Sequence, residues 1–306
     1  MTKIRAIIDT DPGIDDAVAI LFALASPAFD ILGITTVAGN IGITTTTRNA
    51  GRLLALAGRG DVSVQAGAAG PLTRKGFDTA EIHGSDGLGG VAFPAPLAVA
   101  GDDAVGWLAA RFMAEPAGTV DLLTLGPLTN LARLVTDHPI AARRIRRVIA
   151  MGGAVHDKGN IGPRSEFNMA ADPEAADIVL GAGLPVILIP LDVTRKVRAT
   201  QGYCDSLESS GRAGAVASAA LIRAYFQTTT VTGPGAESRP LHDPCVMLLA
   251  EDPSLFTLEP MGLSVDLGPT RDAGALTQDA ARPVVQVALG VDGTGALDLL
   301  AARLTA

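Results

Sequence analysis

Cysteine is nearly absent: the 306-residue chain has two, Cys204 and Cys245, far apart and in no Cys-x-x-Cys pattern. That argues against a disulfide framework and a zinc ribbon, and makes a reducing, cytoplasmic compartment the expectation. A basic excess is also missing. The formal charge is −8, which disfavours polyanionic partners such as nucleic acid and leaves a small, neutral, sugar-bearing ligand open. No stretch of about 18 uncharged apolar residues occurs, so no membrane span is expected. The apolar run at Ile4–Ile8 is ended by two acids, Asp9 and Asp11, too early for a signal peptide. No GxGxxG follows the first strand candidate and no P-loop occurs anywhere, which argues against a nicotinamide dehydrogenase and a P-loop nucleotidase.

What is present is a well-filled interior. Apolar residues make up 48% of the chain and mean hydropathy is +0.33, values that fit a packed enzyme rather than disorder. Strand and helix candidates alternate. Ile4–Ile8, Ile31–Val37, Val120–Leu125, Arg147–Met151 and Pro185–Ile189 read as strands. Ala17–Leu24, Thr45–Ala57, Leu128–Val135, Pro173–Leu180 and a long region from the Pro185–Ile189 strand to about Thr230 read as helices. Leu258–Leu267 and Pro283–Val291 read as later strands and Leu297–Leu304 as a closing helix. Continuous apolar strands alternating with helices imply an open, mainly parallel, Rossmann-like α/β sheet flanked by helices. No composition shift or linker divides the chain, so residues 1–306 are expected to form one domain. The glycine-rich stretches Gly84–Gly90 and Gly152–Gly162 follow predicted elements, and Gly233–Arg239 resembles a surface loop. Ligands bind such sheets beyond the carboxyl ends of the strands, so the strand-end loops are where chemistry is sought.

The first strand runs straight into Asp9-Thr10-Asp11-Pro12-Gly13-Ile14-Asp15-Asp16, four carboxylates in eight residues. Their repulsion would raise their pKa values unless solvent, a helix N-terminus or a hard divalent cation offsets it. Asp15 or Asp16 alone can be a helix N-cap. That reading leaves Asp9 and Asp11 unexplained at the buried end of an apolar strand. A second acid, Asp243, lies in Leu241-His242-Asp243-Pro244, where it can cap a helix beginning at Pro244 or join the first cluster around one metal.

Asp9-Thr10-Asp11-Pro12-Gly13-Ile14-Asp15-Asp16-Ala17 resembles the N-terminal signature of the inosine–uridine-preferring nucleoside hydrolase family. The resemblance continues, in the family's order, through Thr36-Val37-Ala38-Gly39-Asn40, Ile82-His83-Gly84-Ser85-Asp86-Gly87-Leu88-Gly89, Leu125-Gly126-Pro127-Leu128-Thr129-Asn130, Met151-Gly152-Gly153, Glu166-Phe167-Asn168 and His242-Asp243. It spans about residues 4–245; the last sixty residues add little. The resemblance implies calcium-dependent hydrolysis of the N-glycosidic bond of ribonucleosides. It assigns calcium to Asp11, Asp16, Asp243 and the backbone carbonyl of Leu125, with water and two ribose hydroxyls completing the shell. Asp11 is then the base that activates water. Asp15, assisted by Asn40, meets the 2′-hydroxyl. Asn160, Glu166 and Asn168 grip the 3′ and 5′ hydroxyl side, and Met151 packs against the ribose. His83 and His242 line the base pocket, with His242 the candidate acid for the departing base. Assembly as a homodimer or homotetramer is a further family expectation.

Each residue also has a structural reading. Asn40 and Asn160 can be turn residues, Glu166 and Asn168 can cap a helix, and Met151 can be core. His138 falls at a helix end and His156 has no clear role. Base preference stays open. Purine-specific relatives stack aromatics on the base, whereas here Trp107 sits in a predicted helix away from the motifs and Ile161 follows Asn160; Tyr225 and Phe226, on the long helix, can reach the base. Two rivals follow from the same residues. Asp9-Thr10-Asp11 after a strand also resembles the start of a haloacid-dehalogenase-type phosphatase, with Asp9 as nucleophile, though no supporting Ser/Thr, Lys and acidic pair follow. A non-catalytic nucleoside- or sugar-binding protein on the same scaffold needs neither a base nor an acid.

Overall fold

The computed structural model describes residues 3–228 and 235–306. The strands are β1 Ile4–Thr10, β2 Phe29–Thr36, β3 Val64–Ala66, β4 Asp121–Thr124, β5 Val148–Met151, β6 Val186–Ile189, β7 Arg198–Thr200, β8 Ser238–Pro240, β9 Phe256–Val265, β10 Leu276–Gln278 and β11 Val284–Val291. The helices are α1 Ile14–Ala25, α2 Ile43–Leu56, α3 Ala80–His83, α4 Ala104–Ala114, α5 Thr129–Asp137, α6 Pro139–Ala142, α7 Phe167–Ala171, α8 Pro173–Gly181, α9 Leu191–Thr194, α10 Gln201–Ser209, α11 Ala213–Thr228, α12 Pro244–Glu251 and α13 Gly293–Leu304.

Among the described residues nine strands form one open sheet in the order β10-β9-β11-β6-β5-β4-β1-β2-β3. The run from β11 to β3 is parallel, and β9 and β10 add an antiparallel edge. Neighbouring residues of the central strands bury into cores on opposite faces. Ala6 and Ile8 of β1 join one core, with Ile149 of β5, α1 and α12; Ile7 joins the other, with Leu122 of β4, Val148 of β5, α5 and α8. This is why these strands read as unbroken apolar runs: neither face is left to solvent. Each such fully buried branched side chain contributes roughly 1.5–3 kcal/mol.

The expected α/β sheet is therefore the observed one, with one correction to the helices. The region after β6 is not one long helix. It is α9, then β7, then α10 and α11, with its expected end at 229–230 outside the described residues. The breaks are local. Thr200 caps α10 by accepting a hydrogen bond from the Tyr203 N–H, and α10 stops before Gly211 at φ +67°, in the left-handed region. The Gly233–Arg239 loop is corrected in part as well. Residues 233–234 lie outside the described residues, but Ser238 and Arg239 are buried and pair with β7 rather than facing solvent.

Candidate active site

The parallel strands β1, β2, β4 and β5 end on the same side of the sheet, and the loops that leave them meet over a cavity of about 440 Å³. Asp15, Asn40, His83, Leu125, Met151 and Asn160 line it, together with Glu166, Asn168, Tyr225, His242 and Asp243. The motifs quoted from the sequence thus converge from seven separate stretches on one space. Three site candidates do not line the cavity: Phe226, whose ring lies 4.4 Å from the Arg239 guanidinium, and Asp11 and Asp16. Asp11 and Asp16, fully buried, lie beneath the cavity floor.

The floor is acidic. One carboxylate oxygen from each of Asp15, Asp16 and Asp243 lies within 4.8 Å of the others, and no salt bridge among the described residues reaches them. Asp16 is locked: its Oδ1 accepts from Thr10 Oγ1 at 2.6 Å and from the Asp11 N–H, and its Oδ2 from the Gly13 N–H at 3.0 Å and Asn40 Nδ2 at 2.9 Å. Gly13, not an aspartate, is the N-cap of α1, and Asp16 acts on it from the third helical position. Asp243 stands at the N-cap position of α12 but makes no capping bond, which leaves its carboxylate to the cluster. Burial, and after it the charge of Asp16, pushes the Asp11 carboxyl well above its ordinary range. Burial, and then Asp15, Asp16 and Asp11, do the same to Asp243.

Asp11 fits a cation in a specific way. Its Oδ2 accepts from the Asn40 N–H at 2.6 Å, while its Oδ1 is buried without a hydrogen-bond partner among the described residues. Buried acceptors are normally satisfied, so an orphaned carboxylate oxygen amid like charges points to an ionic ligand. Gly39 and Gly126 make the pocket for this carboxylate: a Cβ at either position would come closer than 3.0 Å to its oxygens. The Leu125 carbonyl accepts from Asn168 Nδ2 at 2.6 Å and keeps a second lone pair. All donors in the set are oxygens, as a hard divalent ion requires. Asp9 has a different part. It is held by Thr35 Oγ1 and Asn130 Nδ2 within the sheet, and burial pushes it up to about 6.

The walls combine structural and ligand-facing roles. Glu166 caps α7, accepting from the Asn168 and Met169 N–H groups and also from Gly153. Asn160 Oδ1 accepts from the Phe167 N–H at 2.8 Å. His83 Nδ1 accepts from the Ile14 N–H at 3.0 Å, and burial lowers its pKa, so the ring is neutral with its proton on Nε2. His242 Nδ1 lies 2.8 Å from Thr194 Oγ1; burial first, then Arg195 and Arg198, bring it down to about 3.

Several lining residues escaped the sequence reading: Thr79, Ile82, Phe167, Arg195, Arg198 and Arg239. For Arg195 a signal existed. Leu191-Asp192-Val193-Thr194-Arg195 directly follows β6, a strand end of the kind that carries sites. Trp107 packs over Gly33, far from the cavity, and His138 is the C-cap of α5.

Carboxylates, amides and imidazoles converge on one cavity at the ends of the parallel strands, the place where open α/β sheets carry ligand sites. Residues 6–298 match the inosine-uridine preferring nucleoside hydrolase family, and the chain belongs to it. It is a ribonucleoside hydrolase, an N-glycosyl hydrolase. Over 303 residues it is 36% identical to the pyrimidine-specific ribonucleoside hydrolase RihA of Citrobacter koseri, covering 97% of each chain. Among solved structures, a plant nucleoside hydrolase, PpNRh1, superposes with a TM-score of 0.91 at 33% identity and 99% coverage of each chain. A purine-preferring ribonucleoside hydrolase from Gardnerella vaginalis gives 0.92 at 31% identity and 98% coverage of each.

Proposed function

We propose that this chain hydrolyses pyrimidine ribonucleosides to ribose and free base, with calcium as its resident cation. The observation that carries the proposal is the set of buried carboxylates at the floor of the cavity, which among the described residues have no salt bridge and include one oxygen, Asp11 Oδ1, with no hydrogen-bond partner. Asp11, Asp16, Asp243 and the Leu125 carbonyl would hold the ion, with Asp15 beside them. Bound there, calcium supplies charge neutralisation, coordination positions for two sugar hydroxyls, and acidification of a water molecule.

The chain's own groups then divide the work. Asp11 would accept the proton of the attacking water, oriented for it by the Asn40 N–H on its Oδ2. Asp15 and Asn40 take the 2′-hydroxyl, and Asn160, Glu166 and Asn168 the 3′ and 5′ side. Met151 supports the ribose, where developing positive charge faces the acidic floor. His242 serves the departing base as a neutral N–H donor, because its pKa near 3 leaves it uncharged at working pH. His83 and Tyr225 complete the base end. Two features favour pyrimidines: the likeness to RihA along 97% of the chain, and a cavity with no indole to stack on a purine.

Release of reducing sugar from uridine, cytidine, inosine and adenosine, with and without chelator, tests this. The proposal expects uridine or cytidine to exceed inosine in kcat/KM by about tenfold or more, with activity lost in chelator and restored by calcium. Faster inosine hydrolysis overturns the base preference, and full activity in chelator overturns the cation. Tight binding of every nucleoside without sugar release would mark a binding protein instead. Cytoplasmic residence and assembly as a homodimer or homotetramer belong to the same proposal; both cysteines are free and buried, in keeping with a reducing compartment, and light scattering tests the assembly.

A further inference from the structure

The helix α9 is only four residues long, yet its side chains bond both the loop that leads to Asn160 and the ring of His242. Asp192 is buried, and its carboxylate accepts three consecutive backbone N–H groups: Val155 at 2.9 Å, His156 at 2.7 Å and Asp157 at 3.2 Å. Arg195, the next residue after the helix, continues along the same loop. It donates to the Lys158 carbonyl at 2.7 Å and the Gly159 carbonyl at 2.9 Å, and pairs with the Asp157 carboxylate at 2.9 Å. The backbone is therefore held at every residue from Val155 to Gly159, and the next residue is Asn160, which lines the cavity. Between Asp192 and Arg195, Thr194 is fully buried and bonds His242 Nδ1 at 2.8 Å.

Glycine-rich loops do not hold a side chain in place unaided, because the backbone entropy opposing a single conformation is large. The 152–162 loop contains four glycines; Ser165 and Phe167 hold Asn160 from the C-terminal side, and the bonds from Asp192 and Arg195 hold the stretch that leads into it. We infer that α9 is the positioning element of this site: Asp192 and Arg195 fix the 155–159 backbone and thereby Asn160, and Thr194 aims His242. None of the three is a catalytic residue; each acts through another. Charge-assisted bonds to backbone N–H groups are the strong kind, and a loss of alignment of about 1 Å at a reacting site costs on the order of a hundredfold in rate. One turn of helix thus sets the sugar-gripping loop and the leaving-group histidine in a fixed relation.

The inference rests on the proposed roles of Asn160 at the 5′ side and His242 at the base, and the test separates the two levels. The variants are Asp192→Asn, Arg195→Gln, Thr194→Val and Thr194→Ser, assayed on uridine, 5′-deoxyuridine and a p-nitrophenyl riboside. Asp192→Asn is expected to lower kcat/KM for uridine by about ten- to a hundredfold, mostly through KM, with a much smaller loss on 5′-deoxyuridine, which lacks the hydroxyl that Asn160 would hold. Arg195→Gln should discriminate in the same direction, and it carries the test if Asp192→Asn does not fold. Thr194→Val should lose kcat on uridine but not on the p-nitrophenyl riboside, whose leaving group needs no proton, and Thr194→Ser should restore it. Equal losses on all substrates, or no rescue by serine, overturn the inference. Asn160→Ala is the control. If that variant treats uridine and 5′-deoxyuridine alike, the role of Asn160 falls; if it discriminates and the α9 variants do not, the positioning role falls.

Discussion

Adding calcium to chelator-treated protein should raise its melting temperature, and the rise should grow with pH. In the metal-free fold, Asp11 and Asp243 have pKa values raised by burial and by neighbouring carboxylates. Such groups bind protons in the folded state that the unfolded chain releases, so metal-free stability falls as pH rises above the ordinary carboxylate range. A cation at the cluster removes that penalty, and protons compete with it, so its benefit is larger at pH 8 than at pH 5.5. At a calcium concentration a hundred times the dissociation constant, binding to the folded state alone adds ~2.7 kcal/mol. An unfolding entropy of about 2.1 cal/mol/K per residue over 306 residues turns that into a rise of ~4 °C. Differential scanning fluorimetry with a calcium titration at both pH values measures it. Asp243→Asn, with one buried charge removed, should melt above the wild type in chelator and lose the calcium response. A calcium shift that is absent, or larger at pH 5.5 than at pH 8, would refute the reasoning, because it would mean that the carboxylates are already neutralised from within the fold.

Further outcomes follow from individual residues. Asp11→Asn should cut kcat by roughly a thousandfold, within the range for loss of a general base, while calorimetry still detects nucleoside binding; near-normal turnover removes Asp11 from the base role. Gly126→Ala and Gly39→Ala should each displace the Asp11 carboxylate and lower kcat at least about a hundredfold without loss of secondary structure by circular dichroism, since their added methyl groups collide with that side chain. His242→Ala should be impaired on uridine and unimpaired on a p-nitrophenyl riboside; equal loss on both argues for a packing role. With the imidazole at about 3, the kcat profile of the wild type should carry no limb from His242 between pH 6 and 8, and a limb there that His242→Ala abolishes would show a charged donor.

Much of the fold was legible because it is written in short-range pattern. The apolar runs of β1, β4, β5 and β6 are buried on both faces, and that leaves a one-dimensional trace. The region after β6 is less legible for the opposite reason: helix formers stand on both sides of its breaks, which come from a threonine cap and a glycine terminus rather than from polarity. At the site, the motif order located the cavity-lining acids, amides and histidines. What it could not supply is which of them already have partners. Asp16 looks no different from Asp15 in the sequence, yet four donors hold Asp16 while no hydrogen bond among the described residues reaches Asp15. Phe226 adjoins Tyr225, but on a helix successive side chains point about 100° apart, and only Tyr225 faces the cavity.

That difference in hydrogen bonding gives the acidic floor its chemical asymmetry. A carboxylate whose two oxygens accept from hydroxyl, backbone and amide donors is held in position by the fold itself, so Asp16 is the fixed member of the cluster. A carboxylate with one oxygen held by the Asn40 N–H and the other free keeps its orientation and retains a lone pair for proton transfer, which is the condition Asp11 meets. Burying such a group beside like charges runs against folding stability, and proteins break that rule mainly where function requires it. The glycines at 39 and 126 reinforce the point. A Cβ at either position would collide with the Asp11 carboxylate, so the backbone around it leaves room for an unfavourable buried charge.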